Sequence, residues 1–224
     1  MTLVPPLGYH ALVDIDTDAV LAFGTSAPAM LFVQSAIPHS YTATNIQYPN
    51  HKHDMPIHLE TPESFVKWSW SRKSRTMRTT THKHINDELK KKSELAHGKY
   101  LLVLTIMSSL SRGRVTSASG FAHQDAVYAT KRREAQLFKD AGYDESVLAD
   151  IPFVTQYADY ASLSFREAAD EILVKAKLDD ERLAKTELMR LVYSSKIKNA
   201  KSMQEIAKVR EEFRFDMEVS GRLS

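Results

Sequence analysis

Two segments in the C-terminal third carry their own helix-start signals: Ser164-Phe165-Arg166-Glu167 and Ser202-Met203-Gln204-Glu205. In this pattern the serine side chain accepts a hydrogen bond from an orphan N–H of the first helical turn. The glutamate three residues on reaches back to the serine N–H. Each pair opens a run whose apolar residues recur at helical spacing. The first opens the longest helix, with Ala169, Ile172, Ala176, Leu183, Tyr193 and Ile197 on one stripe. Asp179, Asp180 and Glu181 interrupt that stripe and mark a kink or a solvent-exposed stretch. The second opens a last helix with Ile206, Val209 and Phe213 inward. Upstream, residues 122–141 place Ala126, Ala129 or Thr130, Ala135 or Arg133, Leu137, Phe138 and Ala141 on a broad stripe. Gly142 follows as the expected left-handed stop. Pro152 suits the first turn of a short helix running to about Tyr160. Residues 121–224 are therefore expected to form a helical module.

The N-terminal half obeys other rules. Residues 11–15, 19–23 and 30–34 are short apolar runs separated by Asp, Gly, Ser and Pro, the pattern of short strands with tight turns. Every proline except Pro152 lies before residue 63, and proline suppresses helix by fixing φ and removing a donor. Residues 37–60, with Pro38, Pro49, Pro56 and four histidines, read as a long loop or extended arm. Residues 67–83 hold Lys67, Arg72, Lys73, Arg75, Arg78 and Lys83 and no acid, and resemble a strand that becomes a basic loop. Residues 86–97 form a short polar helix candidate, with Asn86 as cap and Gly98 just past its end. The apolar run 100–107 is a buried strand or the continuation of that helix; its period decides neither. Residues 112–120 read as a linker. The expected class is α+β: a β-rich region over residues 1–115, carrying a proline-rich arm, joined to the helical module.

Composition narrows the chemistry. The chain has 224 residues, 43% of them hydrophobic, enough for one large domain or two small ones with a real core. Thirty Lys and Arg against 28 Asp and Glu leave a formal charge of +2, so the whole chain is no polycation built for nucleic acid. With no cysteine there are no disulfides, thiolate metal sites or cysteine nucleophiles. Residues 1–10 lack a basic n-region, and the run 100–107 is too short to span a bilayer, so a soluble, unprocessed protein is expected. The seven glycines make no phosphate-cradling loop, and no G-x-S-x-G elbow is present. Carboxylates pair only as helix-face charge, such as Glu211 and Glu212, whereas a general acid needs a secluded carboxyl. No enzymatic activity is expected.

Two constellations carry candidate chemistry. His51 with His53, and His82 with His84, are H-x-H pairs. On an extended strand such residues share a face, and both imidazoles reach one ion. One pair from each of three chains meeting on an axis would supply an octahedral nitrogen set suited to iron. The bland alternative is a histidine-rich polar loop whose intervening lysine repels a cation. In the second constellation Lys67, Arg72, Lys73, Arg75 and Arg78 would track a phosphate backbone while Trp68 or Trp70 stacks on bases. Against this stands the reading of both tryptophans as core, with a solvated basic loop beyond them.

Residues 128–213 resemble a helical module of bacteriophage tail-fibre and tail-assembly proteins. The resemblance runs through Tyr128-Ala129-Thr130-Lys131-Arg132-Arg133-Glu134-Ala135, then Ser164-Phe165-Arg166-Glu167-Ala168-Ala169-Asp170-Glu171-Ile172. It continues through Glu187-Leu188-Met189-Arg190 and Lys196-Ile197-Lys198-Asn199-Ala200. It covers under half of the chain, and it departs at Leu178-Asp179-Asp180, where such modules often carry a bulky aromatic. It implies a non-enzymatic structural component of the virion tail, near the baseplate or fibre attachment. Its partners would be other tail proteins and further copies of itself, as a trimer or hexamer, with no membrane. An assembly chaperone absent from the finished particle is the rival, and a nucleic-acid-binding accessory protein using residues 67–83 is a third reading. Trimeric phage fibres hold axial iron on H-x-H pairs, which is what the resemblance would imply for the histidine pairs; otherwise no cofactor is expected.

Overall fold

The computed structural model describes residues 9–46, 68–79, 86–115 and 124–222. The fold is α+β. It forms two compact units, one of Met1–Met107 with Leu191–Ser224 and the other of Ser108–Arg190.

In the first unit, β1 (Tyr9–Asp14) is the central strand of a three-stranded antiparallel sheet, flanked by β2 (Val20–Gly24) and β3 (Ser40–Ile46). Alternate residues of β1 face opposite sides of the sheet. Ala11 and Val13 join Val20, Ala43 and Ile46 in one cluster, which Trp68 and Trp70 complete. Leu12, between them in sequence, is also fully buried. A strand covered on both faces reads as a continuous apolar run, which is why it was legible.

Residues 30–34, expected as a strand, belong instead to α1 (Ala27–Ala36). Ser26 caps it by accepting from the Ala29 N–H at 3.3 Å, and Pro28 sits in its first turn. The buried set Ala29, Met30 and Val33 has helical spacing. The loop expected over residues 37–60 is also corrected in part: its β-branched and aromatic residues at 41–46 pair as β3 against the second edge of β1. The remainder of the expected arm, residues 47–60, lies outside the described residues.

The short helix expected over 86–97 continues without a break as α2 (Asp87–Val115), so the run 100–107 is helical. Asn86 caps it as expected, accepting from the Leu89 N–H at 2.8 Å. Gly98 does not stop the helix. A Cβ there would lie 2.7 Å from the Met203 sulfur, so the glycine serves close packing against the last helix. Beyond it Leu102, Val103, Ile106 and Leu110 are buried at helical intervals. Residues 112–115 of the expected linker are helical, and 116–120 lie outside the described residues.

The second unit holds α3 (Gln124–Asp140), a 3-10 turn at Glu145–Asp150, α4 (Pro152–Ala161) and most of α5 (Phe165–Asn199), which ends in the first unit. Its core is built on Ala135, Phe138, Ile151, Val154, Ala158, Ala168, Ala169 and Ile172. Gly142 has φ +67°, the left-handed stop expected after α3. Of the expected α3 stripe, Ala126, Ala129, Leu137 and Ala141 are exposed, because the buried face is the narrower one through Ala135 and Phe138. The Ser164 box closes in both directions: the Glu167 N–H donates to Ser164 Oγ at 3.2 Å and the Ser164 N–H to Glu167 Oε2 at 2.9 Å. At α6 (Met203–Arg222) only half of the pattern holds. The Glu205 N–H donates to Ser202 Oγ at 3.2 Å, but the Glu205 carboxylate accepts from the Lys201 N–H, one residue earlier, at 2.8 Å.

Within the first unit, α6 packs on the end of α5. Ile206, Val209 and Phe213 are buried as expected, Tyr193 meets Phe213 edge-on at 5.0 Å, and the Tyr193 hydroxyl donates to Asp216 at 2.6 Å. Lys99, 1% exposed, donates to the carbonyls of Ala36 and Lys198 at 3.2 and 2.9 Å. It satisfies the last carbonyls of α1 and α5 at once, where helix ends leave acceptors unpaired.

Candidate protein-interaction surface

The basic segment folds as a hairpin, β4 (Trp68–Ser71) and β5 (Thr76–Thr79), beside the start of β2. Trp68 and Trp70 are each 7% exposed and complete the sheet core, so neither indole presents a face on which a base can stack. Arg72 is held by the protein itself. Its guanidinium lies 4.4 Å over the Tyr41 ring, 3.5 Å from the Asp18 carboxylate, and donates to the Ile15 carbonyl. Lys73 and Arg75 are exposed at the turn, where Arg75 takes a left-handed φ of 53°. Arg78 lies in β5 opposite Ser69. Lys67 and the four histidines of the proposed metal set, His51, His53, His82 and His84, lie outside the described residues. The structure thus brings Trp68, Trp70 and Arg72 together as part of the fold and leaves Lys73 and Arg75 facing solvent.

Two features were not anticipated. The first is a cleft of about 680 Å³ between α3, α4 and α5. Tyr128 and Tyr157 line it, and the Lys131 ammonium lies 6.0 and 5.7 Å from their ring centres. Lys175 donates to the Tyr157 hydroxyl at 2.9 Å, and that hydroxyl donates to Glu171 at 2.8 Å. Arg132 pairs with Asp180 at 2.8 Å. Hydrogen bonds from Lys175 and Tyr157 hold Glu171 below the usual carboxylate range, while the Glu171 bond pushes Lys175 above the usual lysine range. Both shifts deepen the ionic form. A general acid or base needs the opposite, a pKa drawn toward neutrality.

The second feature is the outward face of α5. Its inward residues Ala168, Ala169, Ile172, Tyr193 and Ile197 are buried. Leu183, expected among them, is 52% exposed. On the solvent side Val174 is 59% exposed, Leu178 49%, Leu188 62% and Val192 40%. The helix passes through Asp179, Asp180 and Glu181 without a break, and all three are exposed. Single exposed leucines are ordinary, but large apolar groups repeated on one helix face make that face a candidate contact surface.

The chain matches no known family model, no curated protein and no solved structure. The described helices include none long and apolar enough to cross a membrane.

Proposed function

We propose that this chain is a non-catalytic structural component of a phage tail, acting near the baseplate or fibre attachment through protein–protein contacts. The observation that carries the contact role is the exposed apolar face of α5, with Val174, Leu178, Leu188 and Val192 in solvent on one helix. The tail setting comes from the resemblance of residues 128–213, in which Ser164 and Ser202 cap the starts of α5 and α6. The Glu171–Lys175 ion pair beside Tyr157 favours the charged form of each group, which suits polar binding better than proton transfer.

The test is co-purification. The protein is expected in intact particles after density-gradient banding, at a fixed ratio to other tail proteins. Abundance in infected-cell lysate with absence from banded particles would sink the tail-component reading in favour of an assembly chaperone. DNA binding that weakens steeply with salt, and is lost on reversing Lys73 and Arg75, would favour the nucleic-acid reading.

A further inference from the structure

We infer that the outward face of α5 pairs with the same face of a second copy of this chain, in antiparallel register about a two-fold axis. This rests on the reading of α5 as a contact surface and is independent of where in a particle the chain sits. Val174, Leu178, Glu181, Lys185, Leu188 and Val192 follow one another at alternating steps of four and three. That is the spacing of the seam between two coiled helices. All six are exposed, and the stripe runs about 27 Å along the helix at 1.5 Å per residue.

The stripe is self-complementary when one copy is reversed. Centring the axis between Glu181 and Lys185 sets Leu178 against Leu188 of the second copy and Val174 against Val192. The same operation sets Glu181 against Lys185, twice, once on each side of the axis. A two-fold contact demands this reciprocity: if one residue meets another, the second must meet the first. A parallel pairing would instead set Glu181 against Glu181 and Lys185 against Lys185, which like-charge repulsion rejects. The charges also favour an outside partner. Among the described residues Lys185 has no ion pair in its own chain, while Glu181 reaches Lys177 only at 3.9 Å. The apolar pairs drive association and the central charges fix direction, as buried polar positions do in helical seams. Of the trimer and hexamer expected from the tail resemblance, only a hexamer built from dimers contains such an axis.

Sedimentation of the full chain over a range of concentrations tests this. The wild-type protein is expected to reach an even-numbered assembly. Glu181→Lys and Lys185→Glu are each expected to lower its mass to the next smaller species, with at least tenfold weaker association. An equimolar mixture of the two variants is expected to restore it, because every charge then meets its opposite. The chain has no cysteine, so introduced thiols report this contact alone. Leu178→Cys mixed with Leu188→Cys is expected to give a covalent dimer on mild oxidation, and Leu178→Cys by itself is not. A wild-type protein that stays monomeric at high micromolar concentration overturns the inference in favour of a different protein on this face. So do single reversals that leave the mass unchanged, or Leu178→Cys cross-linking to itself as well as to Leu188→Cys. If a reversal lowers helicity by circular dichroism, the cysteine pair, which alters no charge, decides. A chain absent from particles that still pairs this way loses the tail reading and keeps this one.

Discussion

Asp14→Ala is expected to destabilise the first unit by about 3 kcal/mol, the lower end of the range for breaking a buried ion pair. The lower end applies because the Lys92 side chain is 26% exposed and regains water, whereas that of Asp14 is only 5% exposed. The carboxylate ends β1 and organises the turn into β2. Its Oδ1 accepts from the Asp16 N–H at 3.1 Å, the Thr17 N–H at 3.0 Å and the Thr17 hydroxyl at 2.9 Å. Its Oδ2 accepts from Lys92 on α2, tying the sheet to that helix. Alanine leaves those donors without the acceptor they were folded around, and Asn keeps the Oδ1 contacts while losing the charge. Asp14→Asn is therefore expected to cost less than Asp14→Ala in urea unfolding followed by circular dichroism. Equal costs would show that the turn contacts contribute nothing. Burial pushes the Asp14 carboxyl up, but the bonds from Lys92 and Thr17 outweigh it and hold the net value below 3.8. A carboxylate depressed in the folded state contributes stability that is fully present above its ordinary value and is lost as pH falls through the folded one. The acid limb below pH 3.8 should therefore be shallower in Asp14→Asn than in the wild type.

What was legible in the sequence was whatever a local rule dictates. Asn86, Ser164, Ser202 and Gly142 act where short-range capping chemistry places them, and β1 was visible because its centre, Ala11 to Val13, is an unbroken apolar run buried on both sides. The misreadings come from positions where a distant element decides. Gly98 has the composition of a helix stop, but its lack of a side chain is used by Met203, more than a hundred residues later. Residues 30–34 are as apolar as a strand, and only Ser26 and Pro28 before them reveal the helix. Trp68 and Trp70 alternate as a binding strand would, yet the face they share is claimed by Val13, Val20 and Ile46.

The candidate surface was illegible for a related reason. Helix α5 carries two apolar stripes at helical spacing, one through Ile172 and Ile197 and one through Leu178 and Leu188. Periodicity detects both and cannot say which faces inward. Leu183, assigned to the buried set, lies in solvent because the helix there runs past the end of the compact core made by α3 and α4. Only the packing partners separate a stripe that holds the unit together from one left for another chain.

Glu134→Ala is expected to loosen the second unit by about 3 kcal/mol and to do so at one place, the start of α4. That helix begins at Pro152, and Ile151 before it offers no side-chain cap. The cap comes from α3 instead. Glu134 is 5% exposed, and its Oε2 accepts from the Phe153 N–H at 2.7 Å and the Val154 N–H at 3.3 Å. Each charged hydrogen bond is worth roughly 1.5–3 kcal/mol, and the negative charge also sits at the positive end of the α4 dipole. The second bond is long and contributes at the weak end. Proline at the first position removes one orphan donor, and Glu134 covers the next two, so helix start and helix packing depend on the same carboxylate. Glu134→Gln keeps an acceptor and loses the charge, and is expected to fall between Ala and wild type. Hydrogen exchange reads this directly: the Phe153 and Val154 amides should lose protection in Glu134→Ala well before the amides at the middle of α5. Unchanged protection at those two amides would mean that α4 is held by the packing of Val154 and Ala158 against Phe138 alone.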